Sequence, residues 1–185
     1  MIPHTILPYI KQWKPYVPVS GLLLSLLLLL PSSCLMYSLS GSALPKEAKT
    51  FTVHDLKSKV ALGPATLADQ LTQSLRDELI KKTSLKEKAT EGDLQFDGIV
   101  TGFKYSPLAP STQDDKTSGS RVQLSITIQI TYINKYDNNF TFKKKDFTQK
   151  EDVEAGREHA EEANMVDAII KKLIQDIYNA SIANW

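Results

Sequence analysis

From Val122 to Tyr132 apolar and polar residues alternate without a break. Val122, Leu124, Ile126, Ile128, Ile130 and Tyr132 share one parity, and Gln123, Ser125, Thr127, Gln129 and Thr131 share the other. Successive side chains of a strand point to opposite faces, so this run has one face to bury and one to leave wet. A parallel sheet covered on both sides has no wet face. The pattern therefore predicts an antiparallel sheet covered on one side only.

The flanking segments supply the cover. Phe51 and Val53 alternate with Thr50, Thr52 and His54 in a first strand over Lys49–Leu56, and Gly63-Pro64 then breaks the chain ahead of a helix. From Ala65 to Lys82, Leu67, Leu71, Leu75 and Leu79 recur every four residues, with Ala68 and Ile80 widening the stripe. A charged turn over Lys86–Asp93 leads to a second strand, Leu94–Tyr105. There Gly98 and Gly102 share the parity of Leu94, Phe96 and Val100, and glycines so placed mark a bulge or a close approach. After the alternating third strand, Asn134–Asn139 is turn chemistry and a fourth strand begins at Phe140. The aromatic parity changes between Phe142 and Phe147, which places a bulge or the strand's end within Lys143–Asp146. An acidic stretch to about Ala155 reads as mobile. A last helix follows to Ala183, with Val166, Ile169, Ile170, Leu173, Ile174 and Ile177 as its stripe. The expectation is an α+β two-layer sandwich, two helices on one face of a four-stranded, mainly antiparallel sheet, in the order β-α-β-β-β-α. Ser106–Ser120, about fifteen residues and mostly polar, is long for a strand connection and reads as a functional loop or a disordered insertion.

Ahead of this domain, Lys11 and Lys14 precede the apolar run Gly21–Leu30, and no acidic residue occurs before Glu47. That run, even extended back to Tyr16, falls short of the roughly 18 to 20 residues a spanning helix needs. Pro31-Ser32-Ser33 then sets small residues before Cys34, the chain's one cysteine. The arrangement reads as a lipoprotein signal over residues 1–33 whose removal leaves an acylated Cys34. Pro31 and Ser33 stand where such signals usually carry Leu and a Gly or Ala. The alternatives are a tilted membrane anchor over residues 17–37 and a plain secretory signal, which leaves a free thiol in an oxidising compartment. Residues 34–46, small and polar through Ser38–Ala43, form a tether, and residues 47–185 form one domain. Lys11 and Lys14 leave with the signal and no carboxylate does, so the formal charge falls from +1 to −1. That balance gives no electrostatic footprint for nucleic acid.

Catalytic chemistry has no foothold. His54 and His159 stand far apart without metal-binding or general-base spacing, and solvation or a helix start accounts for the pairs Asp114-Asp115 and Glu161-Glu162. Neither an enzyme, a metal site nor a cofactor is expected. Lys143-Lys144-Lys145 is the one concentrated charge. It reads either as a solvated strand end that discourages edge-to-edge pairing or as a contact for phosphate or sugar-acid groups. Arg121 is the candidate partner, although a symmetric hairpin closed at residues 134–139 leaves it well beyond the lysines.

Cys34 with Tyr37-Ser38-Leu39-Ser40-Gly41, Pro45 and Ala48-Lys49-Thr50 resembles the start of mature LptE-type lipopolysaccharide-assembly lipoproteins, above all those of the Bacteroidetes group. Gly92–Gly98 with Thr101-Gly102, and Asp176–Ala180 with Ala183-Asn184-Trp185, extend the resemblance in order along the mature chain. It implies a lipid-anchored outer-membrane protein on the periplasmic side. Such a protein assists assembly of the lipopolysaccharide-translocon β-barrel LptD, plugs it, and helps deliver lipopolysaccharide. Binding rather than catalysis is implied, with a polar sheet face and loops against the barrel's polar interior. Basic residues near strand ends are implied as lipopolysaccharide contacts, for which Arg121, Lys143, Lys144 and Lys145 are the candidates. The length and polarity of Ser106–Ser120 put that loop on the barrel wall. No acidic cluster follows Cys34, which fits the periplasmic rather than the surface side. The other reading is a periplasm-facing lipoprotein that binds a small ligand or a transporter subunit.

Overall fold

The computed structural model describes residues 44–109 and 120–183, all within one compact unit, Ser40–Trp185. The expected signal, Cys34, most of the tether and most of the 106–120 loop lie outside the described residues. In chain order the elements are β1 (Thr50–Val53), β2 (Lys57–Ser58), α1 (Leu67–Lys82), β3 (Lys86–Glu87), β4 (Leu94–Leu108), β5 (Arg121–Asn134), a 3-10 turn (Asn138–Phe140), β6 (Phe142–Glu154), α2 (Glu158–Tyr178) and a π turn (Asn179–Ala183).

The α+β class holds, with both helices on one sheet face, while the sheet has six strands rather than four. β4, β5 and β6 form an antiparallel meander; β1 and β2 run parallel to β4, and β3 runs parallel to β1 at the edge. The parallel pairing of β1 with β4 follows from the α1 crossover, because a strand that returns through a helix runs in the same direction. β2 and β3 have two residues each, too few for a period to register. Two boundaries also move. Ser106–Leu108 extends β4 into the expected loop, pairing with Arg121–Gln123. The acidic stretch read as mobile is the second half of β6: Gln149 and Glu151 face α2, where they meet Asp176 and Lys172. A charged strand of this kind carries no apolar signal.

The alternation in β5 resolves as read, with Leu124, Ile126, Ile128, Ile130 and Tyr132 fully buried. They pack beneath Leu71, Leu75 and Leu79 of α1 and Ile169, Leu173 and Ile177 of α2 in one core. Each such side chain contributes about 1.5–3 kcal/mol through burial. Ile80 departs from the expected stripe and is 52% exposed. Thr72 takes an inward place instead; its hydroxyl accepts the Leu56 N–H at 3.0 Å and donates to the Ala68 carbonyl at 2.8 Å. Aromatic rings run across the sheet from Phe96 to Tyr132, Phe142 and Phe147, with successive centroids 4.8, 5.4 and 6.1 Å apart.

Two bulges set which side chains face out. In β4 the register shifts between Val100 and Gly102, so the inward parity passes from Leu94, Phe96 and Val100 to Phe103. Gly102 thereby leaves the core face on which its spacing had placed it. Gly98 stays, and a Cβ there would stand 2.5 Å from Ile130 Cδ1. In the β5–β6 pair Ile130 faces Lys145 and Tyr132 faces Phe142, so Lys143 and Lys144 share Thr131. Of the bulge or strand end expected there, the structure has a bulge, with Lys144 at φ 54, and it returns Phe142 and Phe147 to the same side.

Candidate functional site

α1 and α2 cover one face of the β4-β5-β6 meander, and among the described residues no element covers the other. Cross-strand pairs order that bare face. Gln129 donates to Asp146 at 3.0 Å, the Thr127 and Thr148 hydroxyls lie 2.8 Å apart, Ser125 stands opposite Lys150, and Gln123 donates to Asp152 at 2.9 Å. Asp97, Thr101 and Lys104 continue the surface on β4. Strand spacing and rise make it on the order of 10 Å by 40 Å. It presents alternating donors and acceptors, an arrangement suited to docking against another polar surface.

The candidate cations divide between the two ends of the sheet. Lys145 lies on the core-side parity, its ammonium 5.3 Å from the Phe142 ring centroid and 5.4 Å from that of Phe147. Lys143 and Lys144 occupy the bulge, where the Lys144 N–H donates to Thr131 Oγ1 at 3.3 Å. None of the three forms an ion pair among the described residues. Arg121 pairs in register with Glu154, nine residues along β5 from the partner of Lys145, or roughly 30 Å. The structure does not bring it to the lysines. It lines instead a shallow depression of about 340 Å³ with Lys150, Lys172, Glu151 and Asp152. Its guanidinium lies 3.6 Å from Asp152, and Lys172 is paired with Glu151. Lys150 and Lys172 were missed in the sequence because their approach to Arg121 depends on the β5–β6 register and on the seating of α2.

The motif Gly92-Asp93 proves to be structural. Asp93 Oδ2 accepts the N–H groups of Lys49 and Thr50 at 2.9 and 3.0 Å and the Thr50 hydroxyl at 2.9 Å. The Lys49 bond, first among these, holds the carboxyl below the ordinary aspartate range against the opposing effect of burial. Its charge in turn raises the Tyr136 phenol, whose hydroxyl lies 3.4 Å from Oδ1. A Cβ at Gly92 would fall 2.6 Å from the Phe51 carbonyl carbon, so β1 passes too close for any side chain. His54 and His159 are exposed and apart, and among the described residues no cluster could hold a metal ion.

A helix-backed sheet with one bare, polar, pre-ordered face defines a two-layer α+β domain that presents a strand surface. The chain belongs to the LptE lipopolysaccharide-assembly family, whose model matches residues 49–181, and so has a role in lipopolysaccharide assembly. No curated protein matches it. Among solved structures it resembles a minor lipoprotein from Acinetobacter baumannii, with 15% identity and TM-score 0.44 over 70% of this chain and 89% of that one. It also resembles an uncharacterized lipoprotein B from Nitrosomonas europaea, with 10% identity and TM-score 0.44 over 72% and 81%. A third is the rare lipoprotein B from Shewanella oneidensis, with 12% identity and TM-score 0.41 over 70% and 89%. Likenesses this distant carry no functional weight beside the family match. Among the described residues no helix is long and apolar enough to cross a membrane.

Proposed function

We propose that this protein is an outer-membrane lipoprotein, cleaved after residue 33 and acylated on Cys34, that faces the periplasm and plugs an LptD-like β-barrel. In that place it assists assembly of the barrel and helps deliver lipopolysaccharide. Residues 34–46 act as the tether and residues 47–185 as the plug.

The observation that carries this reading is the bare face of β4, β5 and β6. A barrel lumen is lined by polar side chains. A flat polar face whose side chains are already held by cross-strand bonds loses little conformational freedom when it docks there. Lys143, Lys144 and Lys145, without carboxylate partners among the described residues, serve as point charges for lipid A phosphates or core-sugar acids, while Arg121 acts from the far end with Lys150 and Lys172. The β4–β5 connection meets the barrel wall. The function is binding, and no reaction is assigned.

Gentle detergent extraction of the tagged native protein, followed by mass spectrometry, tests the reading. One large outer-membrane β-barrel at about one-to-one is the expected partner. Recovery of the lipoprotein alone, under conditions that keep other barrel complexes whole, would replace the plug with a lipoprotein that binds a small ligand or a transporter subunit.

A further inference from the structure

The chain ahead of β1, the turn ahead of β4 and the β5–β6 hairpin meet at one end of the sheet. Asp93 joins all three: its side chain holds Lys49 and Thr50, and its carbonyl accepts the Lys135 N–H at 3.1 Å. At this end Lys135 and Lys88 both direct their ammonium groups at the carbonyl oxygen of Glu91, at 2.9 and 3.5 Å. The two ammoniums are therefore no further apart than the sum of those lengths. Neither forms an ion pair among the described residues. Of the nearby carboxylates Glu87 is paired with Arg76, while Asp93, as described, and Asp137, through the Asn139 N–H, are held by neutral donors. Asp93, Asp137, Glu47 and Glu91 thus have no cation partner among the described residues, and Lys49, Lys86, Lys88, Lys135 and the bulge lysines, more numerous, have no carboxylate partner. Tyr136, 51% exposed, and Ile133, 38% exposed, add apolar area to the same end.

Two cations converge on one neutral oxygen, and among the described residues no carboxylate is paired with either. A phosphate, whose several oxygens can accept from both, matches that arrangement. We propose that this end of the domain faces the membrane and that Lys88 and Lys135 bind the phosphates of lipid headgroups. The path of the chain argues for a headgroup over a soluble phosphate. The chain enters the described domain here, at Leu44, ten residues after Cys34. An anchor on that cysteine delivers this end, and not the Arg121 end, to the bilayer. This placement rests on the acylation proposed above, whereas the lysine pair does not.

The test uses the mature chain, residues 34–185, with Cys34→Ala so that no acyl chain contributes. It is sedimented at low ionic strength with phosphatidylglycerol–phosphatidylethanolamine vesicles, and variants are compared after matching their near-UV circular dichroism. Each lysine near an anionic surface changes partitioning roughly fivefold, so Lys88→Gln with Lys135→Gln should weaken binding about 25-fold. Lys88→Arg with Lys135→Arg should retain it. Lys57→Gln with Lys59→Gln, which remove two exposed lysines from another part of the domain, should change it less than about twofold. Equal weakening by both glutamine pairs, or none by Lys88→Gln with Lys135→Gln, would overturn the proposal. Displacement by millimolar inorganic phosphate would make the soluble ion the ligand and overturn the headgroup assignment. Acylation is read separately from the mass of the native wild-type protein, so its failure leaves the vesicle result standing and removes only the anchor.

Discussion

Asp93 Oδ2 accepts the backbone N–H of Lys49 at 2.9 Å, tying the chain ahead of β1 to the turn ahead of β4 across 44 positions of sequence. Thr50 adds two further donors to the same oxygen. Asp93→Ala removes all three and should cost about 1–3 kcal/mol, measured by urea denaturation.

The same carboxyl has a pH signature. Its folded pKa lies below the unfolded value near 4, so its contribution is present above about pH 4 and is lost as pH falls through the folded value. Wild type should therefore lose stability faster than Asp93→Asn on acidification below about pH 4. Parallel stability curves for the two proteins would contradict this assignment.

Two glycines should respond differently to alanine. At Gly92 the new Cβ meets backbone atoms of Phe51 and Thr52 at 2.6 and 2.7 Å, so β1 itself must move. At Gly102 it meets the Thr127 side chain at 3.1 Å on the open face. Gly92→Ala should cost more than about 3 kcal/mol and Gly102→Ala about 1 kcal/mol or less. Similar denaturation midpoints for the two variants would contradict the close passage of β1.

Burial raises the phenol of Tyr132, and burial followed by the hydrogen bond to Glu162 raises that of Tyr105. Acids with raised folded pKa values contribute stability that is present below the unfolded value near 10 and lost as pH rises through the folded one. The domain should weaken above about pH 10. Tyr105→Phe gives up a 2.8 Å bond to Glu162 and should cost about 1 kcal/mol at neutral pH. Tyr132→Phe should be neutral or stabilising, since among the described residues the buried Tyr132 hydroxyl has no partner in hydrogen-bonding geometry. Thermal melts of the two variants would separate these effects.

The β6 bulge predicts a trade between strain and edge protection. Lys144 sits at φ 54, so Lys144→Gly should stabilise the domain or leave it unchanged, by at most about 1 kcal/mol. Lys143→Val with Lys144→Val should strain the bulge and expose an apolar strand edge. Sedimentation velocity should then show self-association that wild type lacks. A monomeric double variant would leave the lysines without an edge-protecting role.

Legibility followed the strength of local pattern. The β5 alternation, the α2 stripe and the parity break at Lys143–Asp146 were readable because each is a relation among residues a few positions apart. β2 and β3 were invisible at two residues each, and the second half of β6 was hidden because Gln149, Glu151 and Asp152 mimic a solvated linker. Of the site, the lysine cluster was readable as a run of charge. Its separation from Arg121 was readable too, from a symmetric hairpin closed at residues 134–139, whereas the grouping of Arg121 with Lys150 and Lys172 and the convergence of Lys88 and Lys135 were not.

By itself the sequence determined that this chain builds a sheet with one buried face and two helices to cover it, since burying alternate residues of a strand needs no knowledge of its neighbours. It also located the break within Lys143–Asp146, because Phe142 and Phe147 stand on opposite parities, and left to the structure the choice between a bulge and the strand's end. Only the tertiary structure decided the parallel seat of β1, the bonds at Asp93 and the grouping of Arg121 with Lys150 and Lys172. Those depend on register between segments tens of residues apart, which is set by packing of the whole core and by turns that shift a strand's pairing one residue at a time.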